Sequence, residues 1–190
     1  MDVQKTKPIR DCKKIYKNYG SYKENLRTDF NSRCGYCDDL DVYCGGKRSF
    51  HIDHFMPHSI PAFLHLKHSY DNLVYSCPYC NGAKSNKWQN VNGFIDPCDI
   101  NYGTHIERHS SGQIISKSII GDYIFINLSL GLFRHKLLWN IEKLDSQKKQ
   151  LLSIIENTKK EKNNLVPIYE ALVEIITKLD SYMELFFAEI

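Results

Sequence analysis

Apolar positions keep helical spacing in the last third of this chain and strand-like alternation near residue 50. Leu132, Leu137, Leu138, Ile141, Leu144, Leu151, Leu152 and Ile155 predict helix within residues 131–162. Asn163-Asn164 interrupts that pattern, and Pro167 suits the first turn of a new helix. Over residues 166–188, Tyr169, Leu172, Val173, Ile176, Leu179, Met183 and Phe186 line one face. Ile168, Ile175, Tyr182, Leu185 and Phe187 widen it. A face that wide is either buried between neighbouring helices or docks another chain. Earlier in the chain, residues 49–55 alternate as a strand does, and Gly45-Gly46 is a hairpin turn signal. Residues 57–70 read as a loop with a short helix, residues 21–31 as a helix, and residues 113–120 and 123–128 as strands.

Charge sharpens the first block. The net charge of +3 permits nucleic-acid binding without demanding it. Residues 1–33 hold nine Lys/Arg against four acids, with Tyr16, Tyr19 and Tyr22 interleaved. Basic side chains can neutralise phosphates and aromatic rings can stack on bases; a solvated lysine-rich helix would look the same. With 42% hydrophobic and 25% charged residues the chain is globular, not disordered. It has no run of 18 apolar residues, so no membrane span is expected. The N-terminus lacks the apolar stretch of a secretory signal, and a cytoplasmic location is expected.

Four of the seven cysteines fall in two Cys-x-x-Cys pairs, Cys34/Cys37 and Cys77/Cys80. Four thiolates in two tight turns suit tetrahedral Zn²⁺, with no open position for catalysis. About forty residues separate the pairs, against ~15–20 in a simple zinc ribbon, so a further structure must sit between them. Cys12, Cys44 and Cys98 are left over. The expected order is knuckle, two strands, loop, knuckle, helix.

The gap between the knuckles holds His51-Ile-Asp53-His54-Phe-Met-Pro57-His58, then Asp71-Asn72-Leu73, and Cys80-Asn81-Gly-Ala-Lys84 follows. A neutral imidazole can take a proton from water near neutral pH. A hard divalent cation such as Mg²⁺ takes oxygen ligands, which Asp53 and Asn81 offer. In a regular strand Asp53 and His54 face opposite ways, so one site can use both only if the strand ends there. His51 shares the Asp53 face.

The whole string, over residues 34–87, resembles HNH nucleases of the ββα-metal fold stapled by four cysteines. The resemblance implies an α+β protein: a zinc-stapled HNH core with a basic N-terminal helical arm and a helical C-terminal extension. It implies that His54 is the general base, that Asp53 and Asn81 hold the catalytic Mg²⁺, and that Asn72 orients the loop. Lys84 would meet phosphate as a point charge, and Lys87, His51 and His58 are further substrate-binding candidates. His65 and His68 read as surface histidines, and His105, His109 and His135 lie outside the motif.

Residues 94–99 (Phe-Ile-Asp-Pro-Cys-Asp), Gly103-Thr-His-Ile and Gly112-Gln-Ile are similar to the tail of HNH proteins of retron-associated and Septu-type antiphage systems. That likeness implies a defence effector working beside an ABC/SMC-like ATPase. This chain departs from it at Leu130-Gly131 and carries Asp53 where many relatives have Glu. The expected division is a basic arm (1–33), a nuclease core (34–97) and a C-terminal extension (98–190). DNA is the default substrate, structured RNA fits the same chemistry, and a homo-oligomer is a further expectation. Two rivals remain: a zinc-ribbon binding module without chemistry, which leaves Asp53-His54 and Asn81 unexplained, and a zinc deaminase. The deaminase signature needs His-x-Glu, and His51-Ile-Asp53 lacks that Glu.

Overall fold

The computed structural model describes residues 1–158 and 165–188. Met1–Leu132 is one compact unit, and a second begins at Phe133. Residues 1–18 have no helix and cross the first unit as an extended strap. Val3 is buried, and Gln4 Nε2 donates to the carbonyls of Gly35 (2.7 Å) and Pro97 (3.0 Å). Arg10 Nε donates to the Leu73 carbonyl at 2.8 Å. A 3-10 turn at Tyr19–Tyr22, capped by Asn18, leads into α1 (Lys23–Asp29). Arg10, Arg27 and Arg33 pair with Asp96, Asp41 and Asp38. Tyr16 packs edge-on against Tyr22, which is buried. Part of the basic and aromatic content of the arm therefore builds the core and does not form an open phosphate-binding surface.

The sequence places a hairpin at Gly45-Gly46, and the structure corrects this. Both glycines have positive φ (85° and 72°), but they join two 3-10 turns, Asp41–Cys44 and Gly46–Arg48. The segment before them cannot extend, because the Asp41 carboxylate is buried and accepts from Arg27 Nε (2.6 Å) and the Tyr75 hydroxyl (2.9 Å). Only one strand, β1 (His51–His54), follows. Its antiparallel partner is β2 (Leu73–Ser76), with Asp53 opposite Val74 and His54 opposite Leu73. The loop between them contains 3-10 turns at Pro61–Leu66 and Tyr70–Asn72. β2 is buried at every position, which is why it shows an apolar run without alternation. Helix α2 (Pro78–Lys84) starts inside the second knuckle, with Pro78 in its first turn and Cys77 Sγ accepting from the Cys80 N–H.

Beyond the ββα unit come α3 (Tyr102–His105), β3 (Ile106–Arg108), β4 (Ile114–Ser116) and α4 (Ile119–Asn127). β3 and β4 pair antiparallel. The expected strand at 113–120 shortens to β4, and the expected strand at 123–128 is helix. The β-branched isoleucines favour a strand locally, but Ser118 accepts from the Gly121 N–H at 3.0 Å and starts a helix. That helix buries Ile124. One hydrophobic core runs from Val3 to Leu130, so the strap and residues 98–130 share it with the HNH-like segment.

In the second unit, α5 (Phe133–Thr158) and α6 (Val166–Ala188) pack together. The Arg134 guanidinium lies 5.7 Å from the Phe186 ring centroid, so the start of α5 sits beside the end of α6. Residues 159–162 of the expected first helix and the Asn163-Asn164 break lie outside the described residues. α6 has the expected bounds, yet Tyr169, Val173 and Ile176 remain exposed, Val173 at 63%. Among the described residues no helix is long and apolar enough to cross a membrane.

Ser118→Ala removes the α4 cap and the partner of His105 Nδ1. It should lower stability by about 1 kcal/mol, read as an earlier urea midpoint with unchanged m-value.

Candidate active site

The cysteine pairs meet. Cys34, Cys37, Cys77 and Cys80 are all buried, with their sulfurs within 4.8 Å of one another. Cys37 Sγ and Cys77 Sγ are 3.7 Å apart. A tetrahedral site with Zn–S bonds near 2.3 Å has S···S edges of about 3.8 Å, so the set fits zinc. Burial pushes the Cys37 and Cys80 thiols well above their ordinary pKa, and a dication is what would hold such sulfurs as thiolates. All four ligand positions are filled by protein, which makes the site structural.

Beside this staple lies a cleft of about 200 Å³ lined by Tyr19, Ile52, Asp53, His54, Pro57, His58, Asn81, Ser85 and Asn86. Asp53 and His54 come from the end of β1 and Asn81 from α2. The strand stops at His54, and both of its last residues line the cleft. Asn72 fixes the turn that follows: Oδ1 accepts from the Met56 N–H (2.8 Å), and Nδ2 donates to the Met56 carbonyl (3.0 Å).

His54 Nε2 lies 2.9 Å from the Lys67 carbonyl. A carbonyl only accepts, so Nε2 carries the hydrogen and Nδ1 keeps the lone pair. The Tyr19 ring meets the imidazole edge-on at 4.7 Å, and His58 packs at 4.2 Å between ring centroids. Burial pulls the His54 pKa below its ordinary value, partly opposed by the Lys67 carbonyl. The ring is therefore neutral at neutral pH.

Lys84 does not stand where phosphate contact would need it. Its side chain is 0% exposed, and Nζ lies 2.9 Å from Asp53 Oδ2 and 2.8 Å from the His54 carbonyl. Asn81 and Lys84 are three residues apart on α2, so both face β1. The Tyr36 hydroxyl also donates to Asp53 Oδ2, at 2.5 Å. Burial raises the Asp53 pKa, opposed by Lys84 and Tyr36, and burial lowers that of Lys84, opposed by Asp53. Two buried donors against one carboxylate favour the ion pair.

Other candidates disperse. His51 is exposed at the start of β1 and does not line the cleft. Lys87 is exposed just past α2. His65 is exposed; His68 stacks on Tyr19 and accepts its N–H. His105 and His109 bond to Ser118 and Ser111 away from the cleft. Sequence reasoning missed the roles of Tyr19 and Tyr36, and it missed Ser85 and Asn86. The one available signal was their proximity in sequence to the α1 start, the first knuckle and Lys84.

Residues 34–87 match the family model for HNH endonuclease. The chain carries an HNH endonuclease domain. No curated protein and no solved structure matches the chain. The HNH domain supports nuclease activity on nucleic acid in general and binding of divalent metal. Asp53 and Asn81, both with side-chain oxygens, line one cleft, and among the described residues Asp53 Oδ1 has a single partner within hydrogen-bond reach, Lys84 at 3.2 Å. That donor set fits a hard cation.

Lys84→Met keeps the length of the HNH domain's buried cation and removes its charge, leaving the Asp53 carboxylate unpaired. Stability should fall by about 3–5 kcal/mol in urea denaturation at neutral pH. A loss below about 1 kcal/mol, the level of a surface pair, would contradict this assignment.

Proposed function

We propose that the protein is a Mg²⁺-dependent endonuclease that hydrolyses DNA phosphodiesters with His54 as general base. The observation that carries this reading is the tautomer of His54. Its Nε2–H is held by the Lys67 carbonyl, while the ring lines the same cleft as Asp53 and Asn81.

In this reading His54 Nδ1 takes a proton from water, the water oxygen attacks phosphorus, and the ester oxygen departs. A divalent cation held by Asp53 and Asn81 would neutralise charge on the phosphoryl oxygen and on the departing oxygen. Asn72 holds residue 56, and with it the turn that ends β1 and aims the imidazole. Tyr19 and His58 wall the ring and limit its rotation. His58 lines the cleft, which supports a role in meeting a substrate phosphate, and Lys87 is an exposed cation next in sequence to Ser85 and Asn86 of the cleft. Lys84 acts from beneath, through Asp53.

The binding-module reading leaves the Asp53–Lys84–Tyr36 arrangement without purpose. The deaminase reading lacks a zinc with an open position, because all four sulfurs form one set. DNA and structured RNA place the same phosphodiester in the cleft, so both belong in the assay. The likeness of residues 94–130 to Septu-type and retron-associated proteins supports a defence effector that works with an ABC/SMC-like ATPase. The exposed stripe Val166, Tyr169, Val173 and Ile176 on α6 supports a docked chain, whether that ATPase or a second copy.

Plasmid DNA and total RNA, incubated with Mg²⁺ or EDTA, are the test. Wild type should cut DNA with Mg²⁺ only. His54→Ala should lose at least about 100-fold in rate while keeping its zinc by metal analysis. Equal cutting by His54→Ala would reject the base assignment. The rate should rise with pH to a midpoint below about 6.5 and then level, since only neutral His54 can accept the proton. A flat profile between about pH 5 and 8 would count against histidine as the base.

A further inference from the structure

Asp53 is held from one side by a residue of the zinc loop. Tyr36 is fully buried between Cys34 and Cys37, and its hydroxyl donates to Asp53 Oδ2 at 2.5 Å. Lys84 Nζ reaches the same oxygen at 2.9 Å and Oδ1 at the longer 3.2 Å. A carboxylate offers about four lone-pair directions. Among the described residues, Oδ2 therefore meets two donors and Oδ1 one.

The loop that carries Tyr36 is itself pinned at each residue. The Gly35 N–H donates to the Tyr75 carbonyl at 2.8 Å. The Tyr36 carbonyl accepts from the Tyr102 hydroxyl at 2.8 Å, and the Cys37 carbonyl from Arg108 Nη2 at 2.6 Å. A Cβ at Gly35 would come within 2.6 Å of the Phe30 ring and 2.9 Å of Val74, so only glycine lets the loop lie this close to the core. The phenol has no room to leave Asp53 unless the knuckle moves.

We propose that Tyr36 is a positioning residue for the catalytic cation. Its hydroxyl, with the Lys84 ammonium, locks the Asp53 carboxylate so that Oδ1 is the oxygen offered to the metal. The zinc loop thereby sets the affinity of the second metal site, although none of its sulfurs touches that site. This rests on the reading of Asp53 as a ligand of the catalytic cation. Partners that orient a metal-binding side chain commonly contribute ~10–100-fold in metal affinity.

The test is Mn²⁺ binding to the full, zinc-loaded chain, followed by electron paramagnetic resonance, with Mn²⁺ standing for Mg²⁺. Asp53→Ala checks the underlying reading: it should abolish the cleft Mn²⁺ site, and wild-type binding by that variant would remove Asp53 as a ligand. Tyr36→Phe checks the clamp, since it keeps the ring and deletes only the hydroxyl. It should retain one zinc per chain, bind Mn²⁺ about tenfold more weakly, and recover near-wild-type maximal cleavage at high Mn²⁺. Unchanged Mn²⁺ affinity in zinc-loaded Tyr36→Phe overturns the clamp and leaves Asp53 untouched as a ligand. A merely structural tyrosine would alter zinc content or stability and not the Mn²⁺ affinity. If Tyr36→Phe loses zinc, the wild-type chain labelled with [¹³Cζ]tyrosine decides. The Tyr36 resonance should shift on saturation with Mg²⁺, and an unmoved resonance overturns the proposal.

Discussion

Four sulfurs meeting in one buried cluster are the constraint on which the rest of this protein depends. Cys34/Cys37 and Cys77/Cys80 lie far apart in sequence, yet all four sulfurs are within 4.8 Å of one another. A two-stranded sheet of four-residue strands is too small to hold itself together in water. Bringing the knuckles together fixes the start of α2 and brackets β1 and β2 between two anchored turns. The imidazole, carboxylate and amide of the cleft then come from elements that cannot drift independently. Zinc binding in such a case is folding free energy, because the unfolded chain has no preformed site.

A second constraint is electrostatic. Asp53 is 6% exposed, and a buried carboxylate without a partner is costly. Lys84 and Tyr36 supply that partner set from two different elements, one on α2 and one in the first knuckle. A pair of this kind adds little net stability over apolar packing, whereas breaking it is expensive. Its value is specificity of placement: the carboxylate is kept ionised and aimed beside a neutral imidazole. One cleft thus holds a carboxylate and a neutral imidazole, with their environments set separately.

Much of this was legible in the chain, for identifiable reasons. The cysteine spacing and the Asp53-His54, Asn72 and Asn81 string need only residue identity to be recognised, and all three non-cysteine positions other than Asn72 line the cleft. The periodicity of α5 and α6 was plain because long helices repeat their pattern many times. Short elements were not. Residues 123–128 are rich in β formers, and one serine cap outweighed that propensity. The strand partner of β1 was placed too early because two glycines at positive φ look alike in a hairpin and in linked 3-10 turns. The inward turn of Lys84 was hidden for a different reason: a lysine's direction depends on a buried acid elsewhere, which no local pattern reports.

The stretch that carries the family signature is not self-sufficient. Its first knuckle is tied by Gln4 to the strap and by Tyr102 and Arg108 to the segments beyond α2. β2 receives Arg10 at the Leu73 carbonyl, directly opposite His54 in the register. Tyr19, in the 3-10 turn that follows the strap, closes one side of the imidazole. A hydrogen bond from a charged donor contributes about 1.5–3 kcal/mol, so these ties are comparable with a sizeable share of a small domain's stability. A segment cut at residues 34 and 87 would keep the sulfurs and the sheet and lose the groups that hold the strand end still. The cleft therefore belongs to the unit Met1–Leu132, and the basic arm acts on it through packing and hydrogen bonds.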